Sequence, residues 1–191
     1  MMKHRILSLI ALLCSALQFA AAERVCNGLA SNCNHSANEI MYASVHDAMS
    51  SKDDGFLFPN NFKPIEEALI AGFRGFLLDS CDCNGEIVFC HSFCIFGQRE
   101  ASTVFTAFAT FLKKNKSEVI ILELQINDNS LAGLWESTTD DFRDLLYSHT
   151  NVAAKWPTLD ELIGMDKRII VFQHNGGDCD VADNCPVGVH E

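Results

Sequence analysis

The sequence predicts an α/β fold, a largely parallel sheet with helices packed outside it. Three observations carry this. Short apolar runs rich in β-branched residues recur along the chain. Stretches with helical spacing of apolar residues lie between most of them. One run, VIILELQI over 119–126, is nearly continuous in apolar character, as in a strand covered on both faces. Strand–helix–strand alternation puts successive strands parallel, and an α/β barrel is one closed form of that arrangement. About five strands are expected, against the eight of a closed barrel, and no internal repeat is visible.

Residues 1–22 read as a secretory signal peptide. Lys3, His4 and Arg5 make a charged start, an apolar run follows over 6–19, and Ala20-Ala21-Ala22 offers a small-residue cleavage site. The alternative, a membrane anchor, needs roughly 20 apolar residues, and this run is shorter. Residues 23–39 form a polar, disulfide-tied N-terminal loop, and 40–191 form the main domain. A short strand over 40–45 ends at His46-Asp47. A turn-rich stretch follows, then a helix after Pro64 with Ile65, Ala68 and Leu69 on one face. A strand over 73–78 ends at Asp79. Asn84-Gly85 is a strong turn signal, and a strand over 86–90 ends at His91. A helix over 101–114 buries Phe105, Phe108, Phe111 and Leu112 and places Lys113 and Lys114 at its negative end. These phenylalanines read as core rather than as a ligand box. After the strand over 119–126, residues 131–147 read as a helix broken near 137–139. Thr158-Leu159-Asp160-Glu161 is a capping box opening a short helix. The last strand, 168–172, leads into Gln173-His174-Asn175.

Composition bounds the function. The formal net charge is −11, and no basic cluster is present, so nucleic acid is excluded as a partner. No stretch after the signal is apolar enough to span a membrane. Of nine cysteines, Cys14 leaves with the signal and an even set remains, which fits an oxidising, extracellular compartment. Cys26 with Cys33, and Cys179 with Cys185, suit local loops. Cys81, Cys83, Cys90 and Cys94 are expected to pair among themselves; a zinc site in that cluster is the alternative. Asn34 and Asn115 open glycosylation sequons.

Polar residues ending apolar strands make poor core and good rim chemistry. Two histidines there, His46 and His91, suit acid–base cleavage of a phosphodiester, one accepting a proton from the attacking hydroxyl and one giving a proton to the leaving oxygen. Asp47 and Asp79 could hold a divalent cation beside the phosphate.

The ordered motifs carry a resemblance. His46-Asp47, Pro59-Asn60-Asn61, the run GFRGFLLD over 72–79, Cys90-His91-Ser92, FLKKNKSEVI over 111–120, Trp156-Pro157-Thr158-Leu159 and KRIIVF over 167–172 together resemble the phosphatidylinositol-specific phospholipase C X domain. They are most similar to the secreted, single-domain members of the PLC-like phosphodiesterase superfamily. The resemblance implies a TIM-barrel-like fold, here an incomplete barrel, apparently C-terminally truncated, since the family has about three more strand–helix units. It implies His46 as general base on an inositol 2-hydroxyl and His91 as general acid. Asp47 would contact substrate or metal, and Asp79 would match a calcium-binding carboxylate, so Ca2+ is the cofactor it admits. The substrate would be a phospholipid or other phosphodiester at a membrane surface. This chain departs from the calcium-dependent pattern at Leu77, where a second carboxylate is expected, and at Gln125, where a third is expected, with Glu123 one pleat earlier. Arg74 looks structural. Two further readings compete: a catalytically weak or inactive domain that binds a ligand or protein, and a metal-dependent hydrolase using His46, His91 and His174.

Overall fold

The computed structural model describes residues 24–126, 131–149, 153–174 and 189–190. Residues 1–22, read above as a signal peptide, and Cys179 and Cys185 lie outside the described residues.

The described strands are β1 (Ser44–Val45), β2 (Gly75–Cys83), β3 (Glu86–Cys90), β4 (Gln98–Glu100), β5 (Ile120–Ile126), β6 (Leu146–Tyr147), β7 (Ile169–His174) and β8 (Val189–His190). They form one sheet in the order β4-β3-β2-β5-β7-β6, with β1 beside β2 and β8 beside β7. The helices are α1 (Ile65–Ile70), α2 (Ala101–Lys114), α3 (Leu131–Glu136), α4 (Asp140–Arg143) and α5 (Leu159–Gly164). The result is a partial barrel with a mixed sheet. β1, β2, β5, β7, β6 and β8 pair in parallel, as the alternation requires. β3 and β4 are antiparallel additions. The reason is local: Asn84 and Gly85 both take positive φ, 62° and 89°, which closes a two-residue hairpin and leaves no room for a crossover.

Two differences from the sequence reading bear on the site. β2 does not stop at Asp79 but runs on to Cys83, because its upper half pairs with β3 while its lower half pairs with β1. The segment read as one helix over 131–147 is two short helices followed by β6. Thr139 restarts the helix, its side chain accepting from the Phe142 N–H, and Leu146-Tyr147 then pairs with Ile169-Ile170. Pairing with a buried strand overrides helical propensity there.

The sheet has two different faces. Phe76, Leu78, Ile120, Leu122, Leu124, Ile169 and Val171 face outward and pack on Val104, Phe105, Phe108 and Leu112 of α2. Edge-on aromatic contacts fix that layer, Phe76 with Phe108 at 5.0 Å and Phe89 with Phe105 at 5.5 Å between centroids. Each fully buried phenylalanine contributes about 1.5–3 kcal/mol. The inner face is sealed at its lower end: Ile170, with Ile121 and Phe172, packs against Trp156, Leu159, Leu162 and the Cys26–Cys33 disulfide. Its upper end is polar. In register, Leu77 sits beside Glu123 and Asp79 beside Gln125.

Gly75 permits the close approach of β1 to β2; a Cβ there would lie 2.0 Å from the Ser44 hydroxyl oxygen. With Val45 beside Phe76, this contact carries His46 to the level of Leu77, two residues before Asp79. Arg74 is structural, as its sequence context suggests. It bonds Glu118 at 2.7 Å and the Leu69 and Phe73 carbonyls, with its guanidinium over the Phe111 ring at 4.7 Å.

Candidate active site

β1 runs two residues and then turns sharply, because Asp47 takes φ 46°. Aspartate tolerates this left-handed conformation better than most residues. The Ala48 N–H donates to the Leu77 carbonyl at 2.8 Å, which locks the turn against β2. Asp47 is therefore buried, with a side chain only 3% exposed, while His46 projects into solvent at 69%. At the end of β3 the same device recurs. Ser92, directly after His91, has φ 66°, and the Phe93 N–H donates to the His91 carbonyl at 2.8 Å. Because β3 is antiparallel to β2, His91 descends toward Asp79 rather than away from it.

These turns converge on one atom. Asp47 Oδ2 lies 3.3 Å from His46 Nδ1 and 3.3 Å from His91 Nε2. It also accepts a hydrogen bond from the Asn60 amide. Asn61 holds the turn from outside, its Nδ2 donating to the His46 and Asp47 carbonyls at 3.0 Å each. Asp79 completes the group. Burial pushes its carboxyl upward from the ordinary value, the Asp47 charge pushes it further, and His91 and His46 oppose both. The structure thus brings His46, Asp47, His91 and Asp79 together; the first three follow strand ends as the sequence suggests, whereas Asp79 lies within β2. Asn60 and Asn61 are new members of the site. Their signal in the sequence is two adjacent asparagines after a proline and before a helix, a pattern suited to side-chain bonds with backbone.

An open groove of about 840 Å³ runs from His46 past Val45, Asn61, Phe62, Ala68 and Phe73. Its lining includes Lys63 and Glu67 as well as His46, but not Asp47, Asp79 or His91. The polar contacts of His46, Asp47 and His91 involve no lysine or arginine among the described residues.

The four cysteines beside His91 form two disulfides, Cys81–Cys90 and Cys83–Cys94. The zinc alternative fails, since paired sulfurs are not thiolate ligands. A calcium shell takes six to eight oxygens. Here the apolar Leu77 and the neutral Gln125 occupy the two positions beside Asp79 and Glu123, and Asp47 Oδ2 is taken by three nitrogens. Among the described residues, the sets of three ligand atoms within 4.8 Å of one another all contain disulfide sulfurs. The donor set fits calcium poorly. His174 pairs with Gln125 in the strand register, but its side chain lies outside the described residues.

The family model for the PI-PLC X domain (PI-PLC X 1) matches residues 32–185. This chain belongs to the PI-PLC X family. The PI-PLC X match spans both histidines and every element around them. Among solved structures, the chain is similar to the phosphatidylinositol-specific phospholipase C of Staphylococcus aureus at 15% identity and TM-score 0.58, over 76% of this chain and 51% of that one. It is similar to the Listeria monocytogenes enzyme at 20% identity and TM-score 0.55, over 82% of this chain and 55% of that one. These likenesses show the PLC-like fold, and the chain spans about half the length of the structures it matches. No curated protein matches it.

The Asp79 shift has a testable sign. Its environment favours the neutral carboxyl, so the folded state loses stability as pH rises from 3.8 through the raised folded value. Asp79→Asn is expected to raise the unfolding midpoint at pH 7 in the presence of a chelator. The gain should vanish below pH 3.8, where the carboxyl is protonated in both states. Thermal melts across that range check it; a gain that persists at low pH would overturn the assignment.

Proposed function

We propose that this chain is a secreted phosphoric diester hydrolase, cleaving a phosphatidylinositol-type or related diester by two-histidine acid–base catalysis. The observation that carries the reading is the meeting of both imidazoles on one buried carboxylate oxygen at 3.3 Å. With Asp47 against Nδ1, the His46 Nε2 is the nitrogen left to take the proton from an attacking hydroxyl. His91 gives a proton to the leaving oxygen as the P–O bond breaks, and the phosphorus bonds the attacking oxygen. When the attacker is a neighbouring hydroxyl of the same head group, the first product is a cyclic phosphate, which water then opens. Asp47 orients both rings, and Asn60 and Asn61 orient Asp47. Membrane binding by the Staphylococcus aureus relative supports a substrate presented in a lipid surface. No helix among the described residues is long and apolar enough to cross a membrane. Three disulfides support a secretory location, and Asn34 and Asn115, both exposed, are proposed to carry glycans there.

The test is release of cyclic inositol phosphate from phosphatidylinositol vesicles, with calcium and with a chelator. His46→Ala and His91→Ala are each expected to lower turnover by about 10²–10⁴-fold. Turnover that disappears with the chelator would assign Asp79 to calcium. A second reading, a weak or inactive domain that binds a phosphate-bearing ligand, is favoured by Leu77 and Gln125 in place of carboxylates. Ligand binding without turnover would select it.

A further inference from the structure

A second groove lies away from the two histidines, between α1 and α2. It holds about 590 Å³, with Leu69, Ile70, Thr106, Thr110, Phe111 and Asn115 in its wall, the size of a site that takes a small ligand. Thr103, Thr106 and Thr110 recur at helical spacing along the exposed side of α2, and Ile70 stands 80% exposed at the rim. Two of the charges in the wall are neutralised in place: Glu66 is held by Arg99 at 2.8 Å and Arg74 by Glu118 at 2.7 Å. Hydroxyls that both donate and accept, beside apolar carbon, suit a neutral polyol rather than an anion. At one end the wall is Asn115, which opens the sequon Asn115-Lys116-Ser117. Its amide points back along the helix, Nδ2 donating to the Phe111 carbonyl at 2.8 Å. A substituent on that nitrogen therefore starts over the last turn of α2, at the mouth of the groove.

We propose that this groove is the docking site of a neutral oligosaccharide, the glycan carried by Asn115 itself. The inference rests on the secretory, glycosylated reading of this chain and not on its phosphodiesterase chemistry. In the transfer, the sugar C1 leaves a lipid diphosphate donor and bonds Nδ2, and one amide hydrogen departs as a proton. The second hydrogen remains for the Phe111 carbonyl, so the cap on α2 survives the modification. The inner N-acetylglucosamine then lies against Phe111, its C–H face on the apolar wall and its acetamide toward the threonine hydroxyls. From Asn115 to Thr103 the helix rises about 18 Å, so an extended glycan follows the threonines along the groove. Covalent attachment holds the sugar at a high effective concentration, which lets contacts too weak for a free sugar hold a tethered one. Docked there, the glycan covers Ile70 and ties α1 to α2. Asn34, in the turn Ser31–Asn34, is exposed and is not part of this lining, so a glycan there serves as the internal comparison.

The experiment uses the full chain secreted from eukaryotic cells, disulfides intact. Under native conditions a peptide N-glycosidase releases each glycan and leaves aspartate, so peptide mass spectrometry reads the two sites separately. Release at Asn115 should be about tenfold or more slower than at Asn34, since only the undocked glycan is cleaved. Thr106→Phe, which fills the groove, and Ile70→Ser, which strips its rim, should each bring the Asn115 rate close to that of Asn34. Both positions are exposed, and circular dichroism confirms that each variant is folded. Equal native rates in the wild type overturn the docking. So does a slow Asn115 site that neither substitution accelerates, which would assign the slowness to the helix end alone. An Asn115 peptide that carries no sugar overturns the proposal at its first step, and the glycosylation of that site with it. Equal native rates together with a dimer that Ile70→Ser makes monomeric would assign the groove to a second copy of this chain instead. Failure of the phosphatidylinositol assay leaves these readouts unaffected.

Discussion

Replacing Asp47 with alanine is expected to lower phosphodiester turnover by about 10²–10⁴-fold, with the larger change in kcat rather than KM. The carboxylate oxygen is the contact point of both imidazoles and of the Asn60 amide, so alanine releases all three. Each ring then rotates freely about its own side-chain bonds, and the chance that both point at the diester together falls. Alanine also meets a conformational cost that aspartate tolerates, since φ at this position is 46° and the left-handed region costs about 1–2 kcal/mol. Asp47→Asn separates the two effects. It keeps the tolerance of the turn and the shape of the group but removes the charge. If Asn restores the unfolding midpoint but not the rate, the charge is what the site needs; full activity in both variants would remove Asp47 from the mechanism. Charge removal also relieves one cause of the raised Asp79 carboxyl. The stabilisation from Asp79→Asn should accordingly be smaller in the Asp47→Asn background, a coupling measurable by a double-mutant cycle.

The second large effect is on stability. Arg168 is fully buried. Its Nη1 donates to the carbonyls of Leu112 at 2.8 Å and Asn115 at 3.0 Å, and its Nε bonds Asp166 at 2.7 Å. The first two acceptors lie at the end of α2, where carbonyls lack helical donors and the dipole favours a cation. One guanidinium thus joins α2, the longest helix among the described residues, to the start of β7. Arg168→Ala removes those donors and opens a cavity, and is expected to destabilise the fold by about 3–5 kcal/mol. Arg168→Lys should recover only part of this, because a single ammonium cannot reproduce the planar fork. Asp166 is largely exposed, so Asp166→Ala should cost under about 1 kcal/mol. Urea denaturation midpoints for the three variants test the ranking; equal losses for Arg168→Ala and Asp166→Ala would refute it.

Sequence reasoning went furthest where period and neighbour chemistry coincide. The helix over 101–114 is α2 with those bounds, since Phe105, Phe108 and Leu112 recur at helical spacing and all become buried. The alternation within VIILELQI correctly puts Glu123 and Gln125 on one face, and the register sets them beside Leu77 and Asp79. The capping box at Thr158 is formed as read. What stayed hidden depends on contacts distant in sequence or on single backbone angles. Nothing in a periodicity marks φ 46° at Asp47, yet that angle turns its carboxylate toward both histidines. Arg168 opens the strand read over 168–172, and nothing in that pattern marks its guanidinium as fully buried, which it is. Leu146 and Tyr147 carry helical neighbours and become a strand only because β7 offers them a pairing edge. Cysteine arithmetic narrows the four central cysteines to pairing among themselves; the pairs Cys81–Cys90 and Cys83–Cys94 are set by the fold, Cys94 reaching back from the turn Cys94–Phe96 beyond β3.

The hairpin that delivers His91 has a consequence for the order of assembly. The hydrogen bonds and ion pairs of Asp47 described above fall between His46 and Asn61 or at His91, and β1, β2 and β3 supply the frame. Such short loops close at low entropic cost. During synthesis this segment leaves the ribosome before β5, β7 or the helices that cover them. The charged cluster can then form as a nascent unit that later layers clamp, and slow steps in pairing the outer strands would delay rigidity rather than the encounter of the two imidazoles.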